Sequence, residues 1–193
     1  MSYLTPSSSA ALPGGLTLTQ FIQTVLVGLS GIDGTLVRPQ WQAEPPKMPD
    51  INTDWLSFGV RETGPDANGY LWTNDAEETV YKRHAQLEVI CSFYGPAASE
   101  NAAIVRDGFQ IPDNLVALRS ANMGFTGTSP EQRVPEPING RFFNRVDVAI
   151  ALRREIQRIY PIVTLLSASG TVHTVTGDEE YLLGWDTDDR RPE

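Results

Sequence analysis

The chain has 193 residues, enough for one domain or one domain with arms, and its 40% hydrophobic and 20% charged residues are ordinary for a soluble globular protein. A formal net charge of −9 argues against tight nucleic-acid binding, which depends on neutralising phosphates and releasing counterions. The single cysteine, Cys91, excludes an internal disulfide, and its place in an apolar run suits a buried small hydrophobe better than a reactive thiol.

The acid is concentrated at one end. From Gly177 to Glu193 there are seven acids (Asp178, Glu179, Glu180, Asp186, Asp188, Asp189 and Glu193) against Arg190 and Arg191, so this segment carries −5. Two lysines accompany thirteen arginines, a bias that fits interface ion pairs or simply the base composition of a genome. The N-terminus is Ser-rich rather than a basic segment leading into an apolar stretch. No apolar run reaches the length of a membrane span, so the expectation is a protein made in the cytoplasm, with no membrane partner.

In chain order, residues 1–16 are expected to form a flexible arm, either disordered or ordered by a neighbouring subunit. Residues 17–30 predict a first helix: Thr17 or Thr19 can cap it, and Phe21, Ile22, Val25, Leu26 and Leu29 share one face. Gly28, Gly31 and Gly34 resemble a phosphate loop only superficially, because they follow a helix and lack Lys-Ser/Thr. Leu36–Trp41 predicts a short strand that Pro39 confines to an edge. Asp54–Glu62 predicts the next strand, with Trp41 and Trp55 as core or sheet-covering aromatics.

Thr63–Thr79 reads as a polar loop, long for a compact domain, with Tyr70, Leu71 and Trp72 too apolar to leave wet; we expect them to pack on a neighbouring subunit. Val80–Phe93 predicts the central strand, with Leu87, Val89, Cys91 and Phe93 on one face and Glu88, Ile90, Ser92 and Tyr94 on the other. Gly95-Pro96 ends it and opens a helix whose Ile104, Val105 and Phe109 are expected on the sheet. A further strand is expected over Leu115–Phe125, then a Pro/Gly-rich loop over Thr126–Gly140.

Phe142–Tyr160 fits strand and helix nearly equally beyond Arg154. The alternation of Val146, Val148, Ile150 and Leu152 against Arg145, Asp147, Ala149, Ala151 and Arg153 favours a long bulged strand. A turn near Pro161 would then return over Ile162–Leu166, giving a long hairpin able to pair with another subunit by strand addition. Thr171–Thr176 suits one more short strand. Tyr181, Leu182, Leu183 and Trp185, set among acids, read either as a docking peptide or as a helical turn folded back on its own domain.

FYGPAASENAAIVRDGFQIPDN (residues 93–114) and LRSANMG (118–124), with TDWLSFGV (53–60) and NRVDVAIALRREIQRIY (144–160), resemble the core pattern of phage neck and tail terminator proteins across most of residues 18–165. The resemblance carries no catalytic motif, so it implies assembly rather than chemistry. It implies a structural virion protein at the head–tail junction, assembled in the host cytoplasm. There a homo-oligomeric ring, six-fold in preference to twelve-fold, would cap the tail tube and connect tail to head. Its partners would be tail tube or sheath protein and the head connector or portal-side proteins, with DNA passing through without sequence-specific binding. Residues 17–166 would be a single terminator-like domain and residues 167–193 an acidic tail.

The fold class expected is α+β (α/β), with a mainly antiparallel sheet, helices packed on one face, extended terminal arms and a long C-terminal β-hairpin. The expected subunit-interface residues are Tyr70, Leu71, Trp72, Arg145, Asp147, Arg153, Arg154, Arg158, Tyr181, Leu182 and Trp185. No catalytic residue, cofactor or metal is expected. His84 and His173 have no ligand spacing, no serine sits in a GxSxG context, and the acids lack a calcium-loop layout. The rivals are a portal-side connector ring, a monomeric adaptor using its acidic tail, and a small-molecule binding domain or enzyme with a pocket at Tyr94–Pro96.

Overall fold

The computed structural model describes residues 4–65, 68–74, 78–138, 140–162, 167–176 and 179–188. In chain order its elements are β1 (Ser8–Ser9), α1 (Leu18–Ser30), β2 (Val37–Pro39), β3 (Trp55–Pro65), β4 (Tyr70–Thr73) and β5 (Thr79–Tyr94). There follow α2 (Ala98–Gly108), α3 (Val116–Ser120), β6 (Met123–Thr128), β7 (Gln132–Arg133), β8 (Glu136–Ile138) and β9 (Arg141–Phe143). The chain continues through β10 (Arg145–Tyr160), β11 (Ser167–Thr176) and β12 (Glu179–Asp188).

Two sixteen-residue strands, β5 and β10, are antiparallel partners along their whole length, from Arg145 opposite Tyr94 to Tyr160 opposite Thr79. At about 3.3 Å per residue each spans roughly 50 Å. Among the described residues the sheet runs β1-β10-β5-β3-β2, with β4 also beside β5 and β6 and β7 beside β10. Every pairing in it is antiparallel except β2 with β3. The fold is α+β, as expected.

Alternation decides what lies beneath the helices. Ala85, Leu87, Val89, Cys91 and Phe93 of β5 lie opposite Arg154, Leu152, Ile150, Val148 and Val146 of β10, and directly opposed residues point to the same side. All of these but Arg154 are buried in one cluster with Phe21, Ile22, Val25 and Leu26 of α1 and Ala98, Ala102 and Val105 of α2. The cysteine is fully buried there, and burial pushes its thiol pKa up, which keeps it protonated and unreactive. Helix α1 begins as expected: the Thr17 hydroxyl accepts from the Gln20 amide, and the Gln20 side chain accepts from the Thr17 amide. Gly31, at φ 68°, closes it.

Several expectations are corrected. The loop over residues 63–79 is largely sheet: β3 continues to Pro65 and β4 takes up pairing with the same strand β5, Leu71 opposite Tyr81. The misreading came from its polar composition, which hides a four-residue alternation. The strand expected from Leu115 is helical to Ser120, because Pro112 opens a 3-10 turn that runs into α3, whose sole buried residue is Leu118. Asn122, at φ 53°, then turns the chain into β6. Ile104 is exposed, since the buried face of α2 is Ala98, Ala102 and Val105, continued by Phe109.

The Pro/Gly-rich segment 126–140 contains the end of β6, β7 and β8, and β8 forms a small hairpin with β9. The long C-terminal strand starts at Arg145, after a break at Asn144. It pairs with β5 without a bulge; the irregularity lies in its pairing with β6, at Ala151/Leu152. Of the return strand expected over 162–166, residues 163–166 lie outside the described residues. Of the two alternatives for 181–185, the helical turn gives way to strand: β12 pairs with β11, Tyr181 opposite Thr174 and Trp185 opposite Gly170. Within the expected N-terminal arm, Ser8 and Ser9 pair with Ile159 and Arg158, and Leu12 is buried.

Candidate assembly surface

The interface residues expected from sequence fall into separate places. Tyr70, Leu71, Trp72, Arg154 and Arg158 lie toward the distal end of the long strands. Arg145 and Asp147 lie at the opposite end of β10, roughly 43–50 Å from its distal tip at 3.3 Å per residue. Arg153 occupies the side away from the helices, opposite Gln86. Tyr181, Leu182 and Trp185 are on β12, opposite Thr174, His173 and Gly170 of β11 in register.

At the distal end four strands run side by side, β4, β5, β10 and β1. On the side away from the helices, Trp72 stacks on Tyr70 with ring centroids 5.1 Å apart, and the Lys82 ammonium lies 5.9 Å from the Trp72 ring. Lys82 Nζ is 2.7 Å and His84 Nε2 3.7 Å from Glu155 Oε2. Burial opposes the charge on Glu155, but hydrogen bonds from Lys82 and Gln157 and the charges of Lys82 and His84 outweigh it. Its carboxyl therefore titrates below the usual range. Tyr70 and Leu71 are 60% and 56% exposed. Among the described residues β4 pairs with β5 alone, so its outer backbone edge is free to accept a further strand.

On the helix side of the same end the row of β10 changes character. After Leu152 it reads Arg154, Ile156, Arg158, Tyr160, opposite Ala85, Arg83, Tyr81 and Thr79. Tyr81 and Tyr160 meet edge to face with centroids 6.3 Å apart. Arg83 Nη1 donates to Glu62 Oε1 at 2.9 Å. Among the described residues Arg154 Nε is buried without a hydrogen-bond partner, and its pKa is lowered by burial first and then by the charge of Arg83.

The proximal end is built differently. Arg145 donates from Nε and Nη2 to the two oxygens of Asp147, at 2.8 and 2.9 Å, and from Nη1 to Glu136 Oε2 at 3.0 Å. The Tyr94 hydroxyl donates to the same Glu136 oxygen at 3.0 Å. Arg145 lies 5.8 Å from the Tyr94 ring, Tyr94 stacks on Trp55 at 4.1 Å and 6°, and Arg38 sits 5.9 Å from the Trp55 ring. This cation–ring–ring–cation stack, closed by Phe143, covers the side of the sheet away from the helices. Burial pushes the Tyr94 hydroxyl pKa up to about 12; Arg145 opposes that shift, and Glu136 adds to it. The hydrogen bonds to Asp147 raise the Arg145 guanidinium pKa against its own desolvation.

Sequence reading paired Arg145 with Asp147 and gave Trp55 as a sheet-covering aromatic, but missed Glu136 and Arg38. Tyr94 and Trp55 both fell on the non-helix row, which was the available signal; Glu136 sits on a hairpin that periodicity did not show. Trp41, expected as a covering aromatic, is 73% exposed; its ring lies over Gly59, where a Cβ would overlap it. A groove of about 500 Å³ beside the stack is lined by Arg38, Trp41, Pro45, Trp55, Tyr94 and Arg145 among others. The Tyr94–Pro96 turn itself is filled rather than open. Gly95, at φ 105°, is backed by the Thr53 carbonyl and Asp54, and Asp54 Oδ1 accepts from the Ala97 amide at 2.8 Å. Among the described residues no group of three or more His, Cys, Asp or Glu could hold a metal ion.

A family model described as phage neck terminator protein matches residues 16–178. No curated protein matches the chain.

Proposed function

The chain belongs to the phage neck terminator protein family, a family of structural virion proteins and not of enzymes, and from that premise we propose that it forms a closed ring capping the tail tube and joining the tail to the head. In such a ring each subunit offers one surface to the next, and the rotation between neighbours must close. Six copies match the symmetry of a tail tube; twelve, facing the portal, is the second arrangement. Tail tube or sheath protein would lie on one side and head connector on the other, and DNA would pass through a bore that does not read its sequence.

The observation that carries this reading is the distal end of the sheet, where β4, β5, β10 and β1 run side by side. Tyr70 and Leu71 are exposed there on β4, which among the described residues pairs with β5 alone. A neighbour's strand or face would bury them. The small-molecule reading has weaker support, because the Tyr94–Pro96 turn is occupied by Asp54 and the Thr53 carbonyl. Electron micrographs of virions labelled on this protein test the assignment. Label at the head–tail junction, with annular particles from the purified protein, is expected; label on the capsid faces or the tail tip would refute it.

A further inference from the structure

The two sides of the distal sheet treat charge differently. On the side away from the helices, Lys82 and His84 both lie against Glu155. Among the described residues, three arginines on the helix side, Arg83, Arg154 and Arg158, face a single carboxylate, Glu62, and that one is taken by Arg83. Among the described residues the guanidinium groups of Arg154 and Arg158 have no hydrogen-bond or ion-pair partner. Arg154 and Arg158 alternate with Ile156 and Tyr160, both partly buried, and Tyr81 lies beside them, so the charges sit in a half-desolvated, partly aromatic surface. An unmatched guanidinium held in such a place costs free energy until an anion reaches it.

We propose that this arginine–tyrosine face, Arg83, Arg154, Ile156, Arg158 and Tyr160, receives the acidic C-terminal segment, residues 177–193, of a second copy of the chain. The complementarity is direct. The face carries three arginines against one carboxylate in a protein whose net charge is −9, and the segment carries seven acids against two arginines. Tyr181, Leu182, Leu183 and Trp185 add apolar side chains to that segment, suited to the Ile156 and tyrosine surface between the guanidinium groups. The inference rests on the self-association proposed above and specifies one contact by which it is made.

The test uses full-length protein throughout. A fluorescent peptide of residues 167–193, which keeps β11 beside β12, should bind it saturably by anisotropy. Binding should weaken at least tenfold in Arg154→Gln/Arg158→Gln and in the milder Arg158→Gln alone, with circular dichroism confirming the fold. Arg61→Gln, whose guanidinium pairs with Glu88 on the other side of the sheet, should leave binding unchanged. Differently tagged copies then separate contact between chains from contact within one. Chains carrying Arg154→Glu/Arg158→Glu should co-purify with chains carrying Asp186→Arg/Asp188→Arg, and neither should co-purify with its own kind.

Peptide binding indifferent to the arginines, or swapped partners that pair no better than like with like, would overturn the proposal. So would arginine-dependent binding of a DNA duplex in place of the peptide. The ring reading is scored separately. Rings that persist in Arg154→Glu/Arg158→Glu would refute this contact and leave the ring standing. Copies that pair through it and never close would refute the ring and leave the contact.

Discussion

Strands β5 and β10 keep one register for sixteen residues, yet their two halves serve different ends. In the proximal half the helix-side row is Val146, Val148, Ile150 and Leu152 against Phe93, Cys91, Val89 and Leu87, all buried under α1 and α2. In the distal half the same row is Arg154, Ile156, Arg158 and Tyr160, all only partly buried, against Ala85, Arg83, Tyr81 and Thr79. Backbone pairing alone therefore does not say which part of a sheet belongs to the core. The side chains do: where burial becomes partial, aliphatic residues give way to arginine and tyrosine, which tolerate water and reward a partner. The proximal half holds the domain together, and the distal half is the part proposed to serve assembly.

That division can be broken most severely from the proximal side. Phe93→Ala empties the centre of the core and should lower stability by about 3–5 kcal/mol, read from urea unfolding; a loss under about 1 kcal/mol would mean that the core is elsewhere. Asp54→Ala removes the acceptor for the Ala97 amide at the start of α2, and should cost about 1–3 kcal/mol by the same measurement.

Tyr94→Phe deletes the hydrogen bond to Glu136 and should cost about 0.5–1.5 kcal/mol near neutral pH. Its pH dependence sharpens the point. Burial raises the pKa of the Tyr94 hydroxyl in the folded protein to about 12, above its unfolded value of about 10. The stability linked to the neutral phenol is thus fully present below about pH 10 and lost as pH rises toward about 12. Wild type should lose more stability than Tyr94→Phe across that window. Parallel losses would place Tyr94 in open water.

The smallest effect on folding belongs to the distal half. Tyr70→Ser/Leu71→Ser should change unfolding stability by no more than about 0.5 kcal/mol while lowering the mass of the assembly. A large loss of stability with unchanged mass would reverse the roles assigned to the two halves.

Strict alternation over β3, β5 and the first half of β10 made the proximal half legible in the sequence, as the cap at Thr17 and the glycine at position 31 did for α1. What escaped was short or rested on distant partners. Strand β4 has four residues in a polar setting, and α3 buries only Leu118, so neither leaves a periodic trace. The Arg145–Asp147 pair could be seen because two residues on one strand share a side. Glu136 and Arg38 could not, because they reach the stack through tertiary folding. Arg154 and Arg158 were read as interfacial, but only the register with β5 separates them from Arg153, which faces the other way.

The central claim is that copies of the chain complete one another in a closed ring. Native mass spectrometry of the full-length protein, alone and with the tail tube protein, tests it most directly. The account predicts a discrete species of six subunits of 21.3 kDa, or twelve in the portal-facing arrangement, formed alone or on the tube. A single subunit under both conditions, at concentrations where tubes themselves assemble, would contradict it.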